Sequence, residues 1–316
     1  MSARRDVRAV VYRAYGHLAG EGGSRARILR SVPGARAAHA AILRRLRTRS
    51  VLMASVDGLR LLVHGEGVVG RNLLLHGQYE PYESDLFRSA IVPGTTVIDV
   101  GANIGYYSLI AARLVGADGR VVSFEPHPEI FGLLTANRDR NGAENVIPLN
   151  LALSDRTGAT RLYLSPVDHG KHSLSASNAS GAQRPLFGQD TGTRTTAMSV
   201  WVPVMRLDDV LSEAGLPSVS VMKIDVEGAE QLVLGGAVSL LGSAAPLTLL
   251  MEYWPDGIAR LGGDPDGLLA TLADAGFRLS AIDHRNRRLI PGSAAAIRDL
   301  CGQRADAQVD LYCVRS

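Results

Sequence analysis

The sequence predicts an α/β protein built on a doubly wound, mostly parallel sheet of seven strands. Three observations carry this. From residue 96 onward, short apolar runs rich in Val and Ile alternate with helical stretches. One run, Val97-Ile98-Asp99-Val100, breaks into Gly101-Ala102-Asn103-Ile104-Gly105 just before a helix, the kind of bend that brings a ligand to the strand ends of such a sheet. An acid, Glu125, closes the next strand.

The 316 residues allow one large domain, or one domain with an accessory piece. Hydrophobic residues at 46% and charged residues at 21% fit a globular chain, and aromatics at 5% leave the core to Leu, Val, Ile and Ala. The net charge of +3 is uneven: residues 1–50 hold twelve Arg, no Lys and two acids, a balance of +10, which leaves −7 for residues 51–316. Cys301 and Cys313 are the only cysteines. They exclude a disulfide scaffold or zinc module and predict a reducing, cytoplasmic setting. Arg13 and His17 interrupt the run Val10–Gly20, so no signal peptide is expected. Leu232–Met251 is uncharged for twenty residues, long enough for a bilayer. Gly235, Gly236, Gly242 and Pro246 divide it, so it reads as helix, turn and buried strand, with no membrane span.

In chain order, residues 1–50 read as a basic helical extension, broken at Gly20–Gly23 and at Pro33-Gly34. Residues 51–92 read as a β-rich lead-in. Its strands are Val51–Met53, Leu59–Val63 and Gly67–Val69, parted by Asp57-Gly58 and Gly65-Glu66, with a short helix Glu83–Ala90. Residues 93–316 form the main domain. Its expected strands are Thr96–Val100, Arg120–Phe124, Asn145–Leu153, Val219–Ile224, Leu247–Met251, Phe277–Ile282 and Asp310–Val314. Its expected helices are Tyr106–Val115, Pro128–Arg140, Ala229–Leu241 and Asp266–Ala275. The Ser-, Thr- and Gly-rich stretch 165–199 reads as an irregular substrate loop.

The bend after the first main strand points to a nucleoside ligand. A dinucleotide site wants G-x-G-x-x-G, and this bend has two glycines four apart. Asp99, two residues before Gly101, would repel a diphosphate and suits the cationic amino group of S-adenosylmethionine. Glu125 can accept both ribose hydroxyls. Purely structural glycines would leave both acids unexplained.

Asp99–Gly105, Phe124-Glu125-Pro126, Asn150–Ala152, Arg206–Asp209 and above all Lys223–Glu230 resemble the FkbM-type methyltransferase family over roughly residues 75–255. The resemblance implies a Rossmann-like class I methyltransferase fold whose last strand runs antiparallel. It also implies S-adenosylmethionine-dependent O-methylation of secondary metabolites, sugars or glycans. It places Asp99, Gly101, Asn103 and Gly105 along the methionine part, Glu125 on the ribose, and Asn150, Leu151 and Ala152 beside the adenine. Tyr79 and Glu80 would cover the cofactor; a plain surface turn is the other reading.

Asp225 and Glu227 end the fourth main strand and face Gly101 across the switch point. They suit a hydroxyl or a cation, with Asp225 also near the cofactor. With Glu252 they form a carboxylate set of the kind that binds Mg²⁺; alternatively Glu227 pairs with Lys223 or caps the next helix. Methyl transfer needs alignment and a base, for which Asp225, Glu227 and His172 are the candidates. His169, Lys171 and His172 share the irregular loop, where a solvated histidine is the plainer reading. His127 is expected beside the adenosine, and Trp254 either walls the acceptor pocket or joins the core. The N/D-P-P-Y/F turn of amino methylases and a strand-end cysteine are both missing, which excludes base methylation of those two types.

The expected partner is a small-molecule hydroxyl acceptor. The twelve arginines suit phosphate, a solvated helix or a homo-oligomer contact through the N-terminal extension. Nucleic acid is disfavoured, because only Tyr12 and Tyr15 interleave them. Two alternatives stay open beside small-molecule O-methylation: an RNA or glycan methyltransferase that uses the basic arm, and a non-catalytic binding protein on the cofactor fold.

Overall fold

Two apolar runs joined by Asp57-Gly58 open the described part of this computed structural model, which covers residues 51–65, 67–165, 171–179, 198–216, 218–302 and 306–316. The basic extension 1–50 and His169 lie outside it. Strands β1 (Val51–Val56) and β2 (Leu59–His64) pair antiparallel across that turn. Both turn residues take positive φ, 49° and 75°, as a two-residue hairpin turn requires. Helices α1 (Val68–His76) and α2 (Pro81–Ala90) follow. Gly67–Val69, expected as a strand, instead leads into α1. Packing overrides the β-branched pair here: Leu73 and Leu74 are buried, and a Cβ on Gly70 would collide with the His64 carbonyl. The lead-in is therefore two strands and two helices.

The main sheet begins as the sequence predicts. β3 (Thr96–Val100), α3 (Tyr106–Val115), β4 (Arg120–Phe124) and α4 (Pro128–Arg140) keep the expected bounds. The expected strand Asn145–Leu153 is split in two. β5 (Val146–Leu149) stays in the main sheet, while β6 (Ala152–Leu153) joins a small sheet with β7 (Gly158–Tyr163) and, beyond α5 (Ala176–Ala179), β8 (Ser199–Met205), in the order β6-β8-β7. The break falls at Asn150-Leu151, where the chain turns behind the end of β4.

Helix α6 (Leu207–Ala214) leads to β9 (Val219–Ile224). The single helix expected at 229–241 is two, α7 (Glu230–Gly235) and α8 (Val238–Gly242). The chain breaks at Gly236, which sits so tightly on the Ser154 carbonyl that no side chain fits. The remaining elements are β10 (Leu247–Tyr253), α9 (Pro255–Arg260), α10 (Pro265–Asp274), β11 (Arg278–Asp283), β12 (Arg288–Pro291), α11 (Ala294–Cys301) and β13 (Val309–Arg315).

The large sheet runs β12-β11-β13-β10-β9-β3-β4-β5. Strands β10, β9, β3, β4 and β5 are parallel, and β13 is antiparallel to both β10 and β11. The eighth strand, β12, adds to the seven expected ones as a hairpin partner of β11. Chain order reverses between β3 and β9, and the crevice for a ligand opens there. Alternate residues of each strand feed two cores. Ile98, Phe124, Met222 and Leu249 share one. Val97, Val121, Val221 and Leu250 share the other with Leu61, Phe87 and Tyr107, so the lead-in packs into the sheet's own core. Among the described residues no helix is long and apolar enough to cross a membrane; the uncharged run 232–251 is divided among α7, α8 and β10.

Candidate active site

At the end of β3 the chain turns through Gly101 at φ +81°, and a Cβ there would collide with the Asp225 carbonyl at the end of β9. Only glycine lets the two strand ends approach this closely. Gly101 N and Ala102 N donate to the Phe124 carbonyl at 3.0 and 2.9 Å, tying the bend to β4. Asn103 N then donates to Glu125 Oε2 at 2.9 Å, and His127 N to Glu125 Oε1 at 2.8 Å. Burial pushes the Glu125 carboxyl up to about 7, with the two backbone N–H groups pulling the other way. Asn150 Nδ2 donates to the carbonyls of Glu125 and Pro126, so Asn150 braces this loop from behind.

Two cavities open at the strand ends. The first, about 600 Å³, is lined by Glu125, Leu151, Ala152 and His172. The second, about 1000 Å³, is lined by Tyr79, Glu80, Asp99 and Glu252. Gly101, Asn103, Asp225 and Glu227 border both. Of the predicted residues, Gly105, His127, Asn150 and Trp254 border neither cavity. Gly105 starts α3, where a Cβ would run into Leu134.

The walls of the second cavity are charged. Asp99 Oδ2 accepts from Ser108 Oγ at 2.5 Å. Burial pushes its carboxyl up to about 6, against that hydrogen bond. Glu80 Oε2 accepts from Tyr107 Oη at 3.0 Å, and burial raises Glu80 above the usual carboxylate range. The buried Lys223 ammonium lies 3.1 Å from Glu83 and 3.5 Å from Asp225, with the Tyr107 ring centroid 4.6 Å away. Burial opposes its charge, but Glu83, Asp225 and Glu80 outweigh that and hold the lysine protonated. Lys223 thus pairs with Glu83 and Asp225. Burial lifts Glu83 to about 8 against the pull of Lys223.

Asp225, Glu227 and Glu252 each present an oxygen within 4.8 Å of the others. Burial, then the charges of Asp225, Glu227 and Glu230, raise Glu252 well above the ordinary range. Glu80, Asn103 and Glu227 take positive φ of 42°, 50° and 51° and all line this cavity. Each such residue stores about 1–3 kcal/mol, which persists where the surroundings enforce it. For Glu227 the enforcing contacts are Ser173 Oγ and Asn178 Nδ2, which donate to its carbonyl at 2.8 and 3.1 Å.

His172 faces the first cavity only. Its Nδ1 accepts from Ser165 N at 3.0 Å, and its ring lies 4.5 Å from that of His127. A neutral His172 in this setting carries its proton on Nε2, which does not suit it to receive one from an acceptor hydroxyl. Trp254 is buried beside Arg260 and borders neither cavity. Nothing in the sequence pattern gives Glu83 or Asp310 a site role, and it offers Lys223 only as a partner of Glu227. These residues lie far apart along the chain, and only the charge of Lys223 at an otherwise apolar strand position signals them.

Residues 99–279 match the methyltransferase FkbM domain. The chain belongs to the FkbM methyltransferase family. Its domain is therefore that of an S-adenosylmethionine-dependent methyltransferase. It is 34% identical over 157 residues to the 31-O-demethyl-FK506 methyltransferase FkbM of Streptomyces tacrolimicus, covering 46% of this chain and 60% of that protein. It is 32% identical over 146 residues to the hexuronic acid methyltransferase AglP of Haloferax volcanii, covering 46% of this chain and 51% of that one. The chain thus spans between half and three fifths of the length of these two relatives. A solved FkbM methyltransferase from Methylobacillus flagellatus aligns over 77% of this chain and 52% of its own, at 14% identity and a TM-score of 0.38.

Proposed function

We propose that this FkbM-family chain transfers a methyl group from S-adenosylmethionine to a hydroxyl of a small natural product or sugar moiety. The observation that carries the reading is the pair of cavities meeting at Gly101, Asn103, Asp225 and Glu227. Methyl transfer needs a donor laid across the strand ends and a space beside its methyl for the acceptor; the first cavity and the Asp99 side of the second suit the donor, and the rest of the second suits the acceptor. The two relatives support the acceptor class, being named for 31-O-demethyl-FK506 and a hexuronic acid.

The residues present fit the donor. Glu125 is buried on the wall of the first cavity with its carboxylate fixed by two backbone N–H groups, and it keeps lone pairs for ribose hydroxyls. Leu151 and Ala152 provide an apolar wall for the base. Asp99 and Glu80 face the second cavity, where a cationic amino group finds carboxylates. When bound, S-adenosylmethionine supplies a sulfonium methyl that a nucleophile displaces in line. Asp225 and Glu227, on the shared border, orient the acceptor hydroxyl and take its proton as the new C–O bond forms. Lys223 holds Asp225 in place from behind. The two unpaired, buried cysteines suit a reducing, cytoplasmic setting.

The test pairs binding with turnover. S-adenosylhomocysteine should raise the melting temperature and NAD should not. Asp225→Asn should keep that response while label transfer from methyl-labelled S-adenosylmethionine falls by about 10²-fold or more. A response to NAD alone, or an unchanged S-adenosylhomocysteine response in the Asp99→Asn, Glu125→Gln double variant, overturns the assignment.

A further inference from the structure

The methionine end of S-adenosylmethionine carries a carboxylate as well as an amino group, and the second cavity is an unwelcoming place for it. A helix N-terminus ordinarily receives an anion on its backbone N–H groups. At the start of α3 those groups are spent. Gly101 N and Ala102 N donate to the Phe124 carbonyl and Asn103 N to Glu125 Oε2. Ile104 N donates to Asn103 Oδ1 at 2.8 Å and Gly105 N to the Ala102 carbonyl at 2.9 Å. Asn103 Nδ2 remains as a neutral donor. Seven carboxylate side chains line the cavity, so a further carboxylate entering it is repelled and needs a cation.

Among the described residues the cavity wall offers two cations, Lys223 and Lys171. Lys223 is buried and already held by Glu83, Asp225 and the Tyr107 ring. Lys171 is exposed at the rim, and no carboxylate among the described residues pairs with it. Its place along the chain matters. The next three residues, His172, Ser173 and Leu174, line the first cavity, so the segment runs from the second cavity into the first, as a donor laid across the strand ends does. The segment is anchored. Ser173 exchanges backbone hydrogen bonds of 2.8 and 3.1 Å with Tyr163, and its Oγ donates to the Glu227 carbonyl at 2.8 Å. From that anchor the long lysine stem carries an ammonium to the rim.

Resting on the methyl-transfer reading above, we propose that Lys171 binds the carboxylate of the donor's methionine part. Asp99 and Glu80 take the amino group and Lys171 the carboxylate, so the zwitterionic end is held at both poles. The stretch 165–199, expected from the sequence to serve the acceptor, thereby contributes a donor contact. A donor without the carboxylate has no use for Lys171.

The experiment titrates three ligands by calorimetry at pH 7.5. They are S-adenosylhomocysteine, its decarboxylated analogue, which keeps the amine, and 5′-methylthioadenosine, which lacks both groups. In Lys171→Gln the affinity for S-adenosylhomocysteine should fall about tenfold relative to that for the decarboxylated analogue, the size of one charged hydrogen bond at a cavity rim. Affinity for 5′-methylthioadenosine and the melting temperature of the free protein should stay as they are. Lys171→Arg should keep the ratio near that of the unaltered protein. An unchanged ratio in Lys171→Gln overturns the assignment. So does an equal weakening of all three ligands, which marks a structural role for the segment. Failure of the unaltered protein to bind any of the three breaks the methyl-transfer reading itself, and the assignment with it.

Discussion

The two cavities share a border but are built on different plans. The first has a mainly apolar wall, and its buried acid Glu125 is positioned by backbone N–H groups from adjoining strand ends. The second is walled by charged side chains from distant segments: Glu83 from the lead-in, Asp99 from β3, Lys223 from β9, Glu252 from β10 and Asp310 from β13. A site made of backbone donors suits a ligand of fixed shape. A site made of side chains from separate elements is retuned by single substitutions while the sheet stays as it is.

The largest effect should come from the charged side. Lys223→Met leaves Glu83 buried without its cation and should destabilise the fold by about 3–5 kcal/mol, read by chemical denaturation. Glu83→Gln in the same chain should recover part of that loss, because the orphaned charge is gone. A loss below about 1 kcal/mol for Lys223→Met would mean that the second cavity is no more charge-dependent than the first.

Next comes the shared border. Gly101→Ala forces a Cβ against the Asp225 carbonyl at a positive φ. It should cost about 2 kcal/mol or more and abolish the S-adenosylhomocysteine shift and turnover together. Loss of turnover with binding intact would separate the cavities more sharply than their shared residues imply.

The smallest effect concerns Glu125. Its carboxyl titrates near 4.5 when unfolded and is pushed up to about 7 when folded. Between those values the folded state binds more protons, so this group's contribution to stability is complete below pH 4.5 and is lost as pH rises through 7. Ribose hydroxyls favour the ionised form, so S-adenosylhomocysteine affinity should move the other way, rising from pH 5.5 to 7.5. Isothermal titration should show Glu125→Gln weakening binding about 10- to 100-fold at pH 7.5. That variant should retain the steps of the other raised acids on the donor side, Asp99, which is pushed up to about 6, and Glu80. An unchanged pH profile in the variant would take Glu125 out of donor binding.

The start of the parallel sheet was legible because β3 and β4 are almost wholly buried and read as mainly apolar runs, punctuated by Gly101, Gly116 and Pro128. The same bend and its acids pointed to the first cavity. What escaped had no local period to reveal it. β7 is largely exposed and polar, and α1 begins with two valines that read as strand. The ion pair of Lys223 with Glu83 joins positions 140 residues apart. Spacing along the chain exposes a bend that one segment makes alone, but not a charge cluster assembled by folding.

The carbonyl of Glu227 is gripped by Ser173 and Asn178, and Asn178 Nδ2 also donates to the Gly257 carbonyl at 3.1 Å. The short stretch 171–179 therefore works as a set screw on the β9 terminus. Homologues that vary this stretch could re-aim one carboxylate, and with it the hydroxyl that is chosen, without altering the scaffold that holds the donor.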